Sequence, residues 1–298
     1  MFGGRKRRRA IWTDVAAELG GTHQLPTKWW RGDENITAIV HGVFVKLDVY
    51  VVSTGKSSQT YTRVVARHAH GPGPKMKVSK QGFFAKIGKA IGMQDVPTGD
   101  GVVDEAFVLK TDNIAVARRL WSDDARMRML PLRDAWLKDK DDRIEMTGYG
   151  RWEEPHIMKG AIELVGALAA TDIYGTETLR ALGTIEQPVG ERPRVALDTG
   201  ARVVVMAEDR DDHLVMSARV YEPMEHERMT LEVIDGRAEL AVNLPQAAQV
   251  HLARAGSGRL EIGNTLAFLW NDLELDPARL RAGAELLGAI SLRGGVYR

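Results

Sequence analysis

The chain has 298 residues, 44% hydrophobic and 27% charged, a balance that supports a packed core and excludes disorder as the main state. It contains no cysteine, which removes disulfides, thiolate metal sites, iron–sulfur clusters and cysteine nucleophiles together, and agrees with a reducing, cytoplasmic compartment. The net charge of +1 conceals an asymmetry: residues 1–95 carry 9 Lys and 7 Arg against 4 Asp and 2 Glu, and no lysine follows Lys159.

No run approaches the roughly 20 apolar residues that span a bilayer. The opening MFGGRKRRR is followed by IWTDVAAELGG, which lacks the apolar segment of a secretory signal.

In chain order, the basic run Arg5, Lys6, Arg7, Arg8, Arg9 reads as part of a flexible tail, residues 1–10, ahead of a short helix over 11–19. There Ile11, Trp12, Val15, Ala16 and Leu19 recur at helical spacing before Gly20-Gly21. After a polar stretch with Trp29 and Trp30, residues 36–53 alternate as a strand. STGKSSQ then turns the chain into a second strand over 61–68. HGPGP makes another turn before KMKVSK, which gives an antiparallel meander. Residues 83–92 (FFAKIGKAIG) switch to helical period, with Phe84, Ile87 and Ile91 on one face and Lys86 and Lys89 away from it. A short strand over 106–109 precedes two predicted helices, 113–121 and 123–137, with Asp112 and Ser122 as N-caps. Residues 143–149 return to strand, and Pro155 opens a long helix to about Ala170.

The second half repeats this scheme. EEPHIMKGAIELVGALA (153–169) aligns without gaps on LDPARLRAGAELLGAIS (275–291), with Pro155/Pro277, Glu163/Glu285, Leu164/Leu286, Gly166/Gly288 and Ala167/Ala289 identical. Upstream, the strands from His41 to Gly82 parallel those from Thr199 to Gly236 in order. The expected fold class is α+β: two related halves, each a small antiparallel sheet covered by a long helix. The first unit runs over 11–170, a Gly- and Pro-punctuated linker over 171–193, and a shorter second unit over 194–298.

Motifs of catalysis are scarce. Gly55-Lys56-Ser57 lacks the glycine a phosphate loop needs five positions earlier, where Tyr50 stands, and reads as a hairpin turn. The acidic run Glu208 to His213 has Leu214 and Val220 where a calcium loop starting at Asp209 needs Gly and Glu, so it reads as a hairpin tip. There is no Gly-x-Ser-x-Gly elbow, no His-Glu-x-x-His and no dinucleotide fingerprint. No cofactor is implied. The alternative to a binding role is an enzyme site that gathers His68 and His70, alternate residues of one strand, with Asp100 and Asp104 from the TGDG turn.

One stretch, TGDGVVDEAFVLKTDNIAVARRLWSDDARMRML, resembles a pattern in an uncharacterised bacterial family of domains of unknown function, some of them membrane-anchored. The resemblance covers about residues 61–130. It implies a fold and supplies no catalytic residue.

The charge asymmetry leads to a non-enzymatic interaction protein whose basic N-terminal region contacts an acidic protein surface or an acidic part of a second copy. The residues expected to carry that contact are Arg5, Lys6, Arg7, Arg8, Arg9, Lys75, Lys77, Lys80, Lys86 and Lys89. An anionic membrane surface and nucleic acid are the alternative targets.

Overall fold

A computed structural model describes residues 3–25, 34–53, 55, 57–81, 94–140, 142–188, 191–220, 229–234, 237–238, 244, 246–263 and 265–291. The chain divides into two compact units, Met1–Thr171 and Asp172–Arg298. The helix expected over 83–92, with Lys86 and Lys89, lies outside the described residues, as do Trp29 and Trp30.

The first unit begins with helix α1 (Gly3–Glu18) and strands β1 (Thr22–Gln24), β2 (Asn35–Val40), β3 (Val43–Ser53), β4 (Ser58–Arg67), β5 (Met76–Lys80) and β6 (Gln94–Asp95). It continues through α2 (Gly101–Ala106), β7 (Phe107–Thr111), α3 (Ile114–Leu120), α4 (Asp123–Met129), β8 (Ala135–Asp139), β9 (Arg143–Tyr149) and α5 (Pro155–Ala170). The strands form one antiparallel nine-stranded sheet, sheet 1, in the order β1-β2-β3-β4-β9-β8-β5-β7-β6.

The second unit holds α6 (Thr176–Leu182), β10 (Ile185–Glu186), β11 (Arg194–Asp198), β12 (Arg202–Arg210), β13 (His213–Val220), β14 (Met229–Ile234) and β15 (Arg237–Ala238). It ends with α7 (Gln246–Ala255), β16 (Gly258–Ile262), β17 (Leu266–Trp270) and α8 (Pro277–Ser291). Its eight-stranded antiparallel sheet, sheet 2, has the order β10-β11-β12-β13-β17-β16-β14-β15.

The protein is mixed α and β, but the expectation of small sheets under one long helix is corrected: both sheets are large, and each unit has several helices. Two local readings explain the shortfall. Residues 36–53 are not one strand. His41 (φ 50°) and Gly42 (φ 77°) form a two-residue turn that folds β2 back on β3, with Val40 opposite Val43. The helix expected over 123–137 ends at Met129 because Pro131 follows, and Ala135–Asp139 then extends as β8. The segment drawn as a linker, 171–193, carries α6 and the edge strand β10. Helix α1 likewise runs through the basic run instead of starting at Ile11.

The long helices fall where the Pro-led pattern put them. Helix α5 packs on β2, β3, β4 and β9, covering a face of Val45, Leu47, Val64, Ile144 and Met146. Helix α8 packs on β12, β13 and β17, over Val203, Val205, Met216, Ala218 and Phe268. Glycine permits the close approach in each case. A Cβ at Gly166 would lie 2.8 Å from Val40, and one at Gly288 would lie 2.1 Å from the Thr199 carbonyl oxygen. Both contacts fall at the tip of the hairpin that opens the meander. No helix among the described residues is long and apolar enough to cross a membrane.

Candidate functional site

Period-two alternation decides what sheet 1 shows on the face turned away from α5. On β3 that face carries Phe44, Lys46, Asp48 and Tyr50. On β4 it carries Tyr61, Arg63, Val65 and Arg67, and on β9 Arg143, Glu145, Thr147 and Tyr149. The register continues the face to Trp136 and Lys138 on β8, Lys77 on β5 and Lys110 on β7.

Two kinds of side chain are sorted on this face. Toward one end lie the aromatics. Tyr50 and Tyr61 stack with centroids 5.3 Å apart, Tyr149 sits 5.4 Å from Tyr61, and Trp136 meets Tyr149 edge-on at 5.3 Å. The Arg63 guanidinium lies over the Tyr50 ring at 5.1 Å. Tyr149 remains 53% exposed and Phe44, at the far end, 61%.

Toward the other end lie the cations. Arg67 stands opposite Arg143, and Lys77 stands opposite both Lys138 and Lys110. Like charges directly opposed across strands are destabilising. Acidic groups relieve only part of the face. Asp48 takes Arg63 (2.9 Å) and Lys46 (3.3 Å), Glu145 takes Lys140 (2.6 Å) and Arg143 (2.8 Å), and Asp95 takes Lys110 (3.0 Å). Arg67, Lys77 and Lys138 pair with no acidic side chain among the described residues.

Burial, then the charges of Lys77 and Lys140, hold the Lys138 ammonium below its ordinary pKa. Burial pushes the Glu145 carboxyl up, but hydrogen bonds and charge from Arg143 and Lys140 more than reverse this and leave it below the usual range. Phe44, Lys46, Arg63, Val65, Arg67 and Arg143 line a hollow of about 610 Å³ on this face.

The residues expected from sequence distribute unevenly. Lys77 is on the face. Lys75 binds Asp112 through its backbone N–H (3.1 Å), and Lys80 reaches Asp134 at 3.4 Å. Arg8 turns inward to Glu34 and Glu153 (3.9 Å each), where Arg151 and His23 also approach Glu34 at 3.4 Å. With Trp12 donating its indole N–H to the Trp152 carbonyl (3.0 Å), this anchors α1. Lys6 and Arg7 are exposed on the same helix, Arg9 is half-buried, and the Arg5 side chain lies outside the description.

Of the alternative four-residue site, the side chains of His68, Asp100 and Asp104 bond to other groups and not to one another. Asp100 caps α2 by accepting from the Val102 and Val103 N–H groups. Asp104 accepts from the Thr98 backbone and hydroxyl and from Gly99; burial raises its pKa, and these bonds outweigh that and lower it. His68 Nε2 meets Asp139 Oδ2 at 2.9 Å on the α5 side of the sheet. Both side chains are closed off, 3% and 0% exposed, and a Cβ at Gly73 would strike both at 2.3 Å. A dyad sealed in this way has no room for a reacting group. No group of three or more His, Asp or Glu suited to a metal occurs among the described residues.

Sequence reasoning missed Arg67, Lys138, Lys140, Arg143, Tyr61, Trp136 and Tyr149 as members of one surface. For β8 the signal was present: AWLKD alternates, but it was absorbed into a helix. For the others no local signal exists, since the face is assembled from strands whose order differs from chain order.

No protein-family model matches the chain, and neither a curated protein nor a solved structure matches it.

Proposed function

We propose that the chain is a non-catalytic binding protein whose first unit takes an anionic partner on the face of sheet 1 turned away from α5. The observation that supports this is the set of like-charged pairs, Arg67/Arg143 and Lys138/Lys77/Lys110, which Glu145 and Asp95 offset only in part. The site moves from the terminal basic run to the sheet. Arg8 is already engaged inside the unit, whereas Lys77 and Lys138 form no ion pair among the described residues. Lys138 has only the Glu145 carboxylate, itself bound to Lys140 and Arg143, across the strand pair.

The test is retention of the full chain on a polyanion, heparin, across a salt series, beside a Lys77→Glu/Lys138→Glu double variant. Binding that weakens steeply with salt and is lost in the variant supports the reading. Absence of retention at low salt, or retention that ignores the variant, overturns it.

A second element of the proposal is that the two units descend from one duplicated unit. Supporting it, β2-β3-β4-β9-β8-β5 and β11-β12-β13-β17-β16-β14 follow the same order of connections, each with a long helix after its last strand. Gly166 and Gly288, paired in the sequence alignment, back onto equivalent hairpins. A reducing, cytoplasmic setting agrees with the lack of cysteine.

A further inference from the structure

The geometry points to a single-stranded nucleic acid as the anionic partner, its bases laid against the Tyr50, Tyr61, Trp136, Tyr149 end of the sheet and its phosphates tracking the Arg67, Arg143, Lys138, Lys77 end. This rests on the anionic-partner reading and narrows it. Two independent features coincide on one face.

The first is electrostatic. Arg67, Lys138 and Lys77, on β4, β8 and β5, form no ion pair among the described residues. With Arg143 on β9 they spread positive charge across four neighbouring strands around Glu145, which suits a ligand with charges repeated along its length better than a single anion.

The second is aromatic. Tyr149 offers an exposed ring next to Trp136 and Tyr61, at the surface instead of in the core. Bases stack on such platforms whatever their sequence. Trp136 and Lys138 are alternate residues of β8, roughly 7 Å apart along the strand. That is the order of separation between a base and its own phosphate, so one strand presents both contacts a nucleotide needs.

Competing ligands fit less of the face. A duplex keeps its bases stacked inside, and the described residues of this face are strands, which offer no helix to enter a groove. An anionic membrane uses the cations but requires apolar side chains that insert, whereas the aromatics here lie in a sheet and pack on one another. An acidic peptide uses the cations and leaves the rings without a role.

The experiment is fluorescence anisotropy of the full chain with a labelled mixed-sequence 15-nucleotide single strand, the matching duplex, and poly-glutamate, over a salt series. Three variants accompany it: Tyr149→Leu, Lys138→Gln and Lys77→Gln. Each alters a side chain at the surface of the sheet, and circular dichroism checks that each remains folded. The expected result is binding to the single strand in preference to the duplex and to poly-glutamate. Tyr149→Leu should weaken it about tenfold with the salt dependence unchanged. Each lysine variant should lower the slope of log K against log salt by about 0.7. Binding to poly-glutamate or to the duplex but not to the single strand overturns this inference and leaves the anionic-partner reading standing. Binding to none of the three at low salt overturns both. Single-strand binding indifferent to all three variants removes the site from this face and so also overturns the inference.

Discussion

On sheet 2, Glu232 of β14 faces Arg259 of β16 and the two join at 2.8 Å; on the equivalent strands of sheet 1, Lys77 of β5 faces Lys138 of β8. The contrast extends over both faces turned from the long helices. Sheet 2 places buried Val204, Val215, Ala267 and Leu269 at the middle of that face, ringed by charges of alternating sign. Glu208 takes Arg219 in a two-pronged contact (2.7 Å at Nη2), and Arg210 reaches Glu261 at 3.6 Å. Sheet 1 places tyrosines and a tryptophan there, and beside the Asp48 and Glu145 pairs it sets Arg67 opposite Arg143 and Lys77 opposite Lys138 and Lys110. Because the two sheets share one order of connections, neither arrangement is required by topology. Sheet 2 shows that the framework accommodates complementary charges on these strands, so the like-charged pairs on sheet 1 are what the proposed anionic partner has to account for.

The largest effects should leave that contrast untouched and establish its baseline. The inner faces of the sheets are alike, so Leu137→Ala on β8 and Leu260→Ala on β16, both fully buried, should each cost about 3 kcal/mol in urea unfolding. A cost below about 1 kcal/mol at either position would mean that the two cores are not built alike.

The next effect belongs to sheet 2 and appears in acid. Burial raises the Glu208 carboxyl, but the hydrogen bonds of Arg219 and Ser217 and the charges of Arg219 and Arg210 outweigh it, so its folded pKa lies below the ordinary 4.5. A carboxylate lowered in this way contributes stability that is full above its unfolded pKa and is lost as pH falls through its folded value. Glu208→Gln should therefore cost about 1 kcal/mol at pH 7, after allowance for solvent screening, and little in strong acid. Equal costs at pH 7 and pH 3 would show that the pair carries no net charge interaction.

Exchanging the patterns gives a smaller and more pointed effect. Lys77→Glu installs on sheet 1 the arrangement of sheet 2 and should raise stability by about 0.5 kcal/mol while weakening polyanion binding. Glu232→Lys does the reverse on sheet 2 and should lower stability by a similar amount. Stability changes of the same sign in both variants would break the comparison.

How much of this was legible in the sequence follows from the range of each interaction. The long helices were read correctly because Pro155 and Pro277 mark their starts and a single amphipathic period runs to each end. The hairpin tips were legible as well. Asp211 and Asp212, at φ 47° and 63°, make the tight turn that the acidic run suggested, and Ser53 opposite Ser58 puts Gly55 in a hairpin connection. The β2–β3 turn was hidden because His41 is an unusual residue at positive φ, and hydrophobic alternation continues on both sides of it. Of the candidate face only Lys77 was among the residues expected from sequence. Lys138 and Lys77 are sixty-one positions apart and become neighbours only because β8 inserts between β9 and β5. A tally of charge placed the basic surplus in the first third of the chain but weighted the consecutive arginines, of which Arg8 is spent on anchoring α1.

The smallest effect is the one most specific to sheet 1. Burial and the neighbouring Lys77 and Lys140 lower the pKa of Lys138 in the folded protein, so folding penalises its charged form. Between its folded pKa and the ordinary 10.5 the unfolded chain holds more protons at this site, and stability rises with pH across that window. At neutral pH the penalty is present in full, and Lys138→Met should remove it, stabilising the free protein at pH 7 with the gain shrinking toward pH 10. A bound polyanion acts in the opposite sense. By supplying the missing negative charge it raises the Lys138 pKa, so binding in the alkaline range should take up protons from solution, and Lys138→Met should abolish that uptake. Calorimetric titration in buffers of different ionisation enthalpy measures it directly. Equal proton uptake by wild type and Lys138→Met would place the anion elsewhere on the protein, whereas uptake confined to the wild type would tie the repulsive row of sheet 1 to the ligand it is arranged to receive.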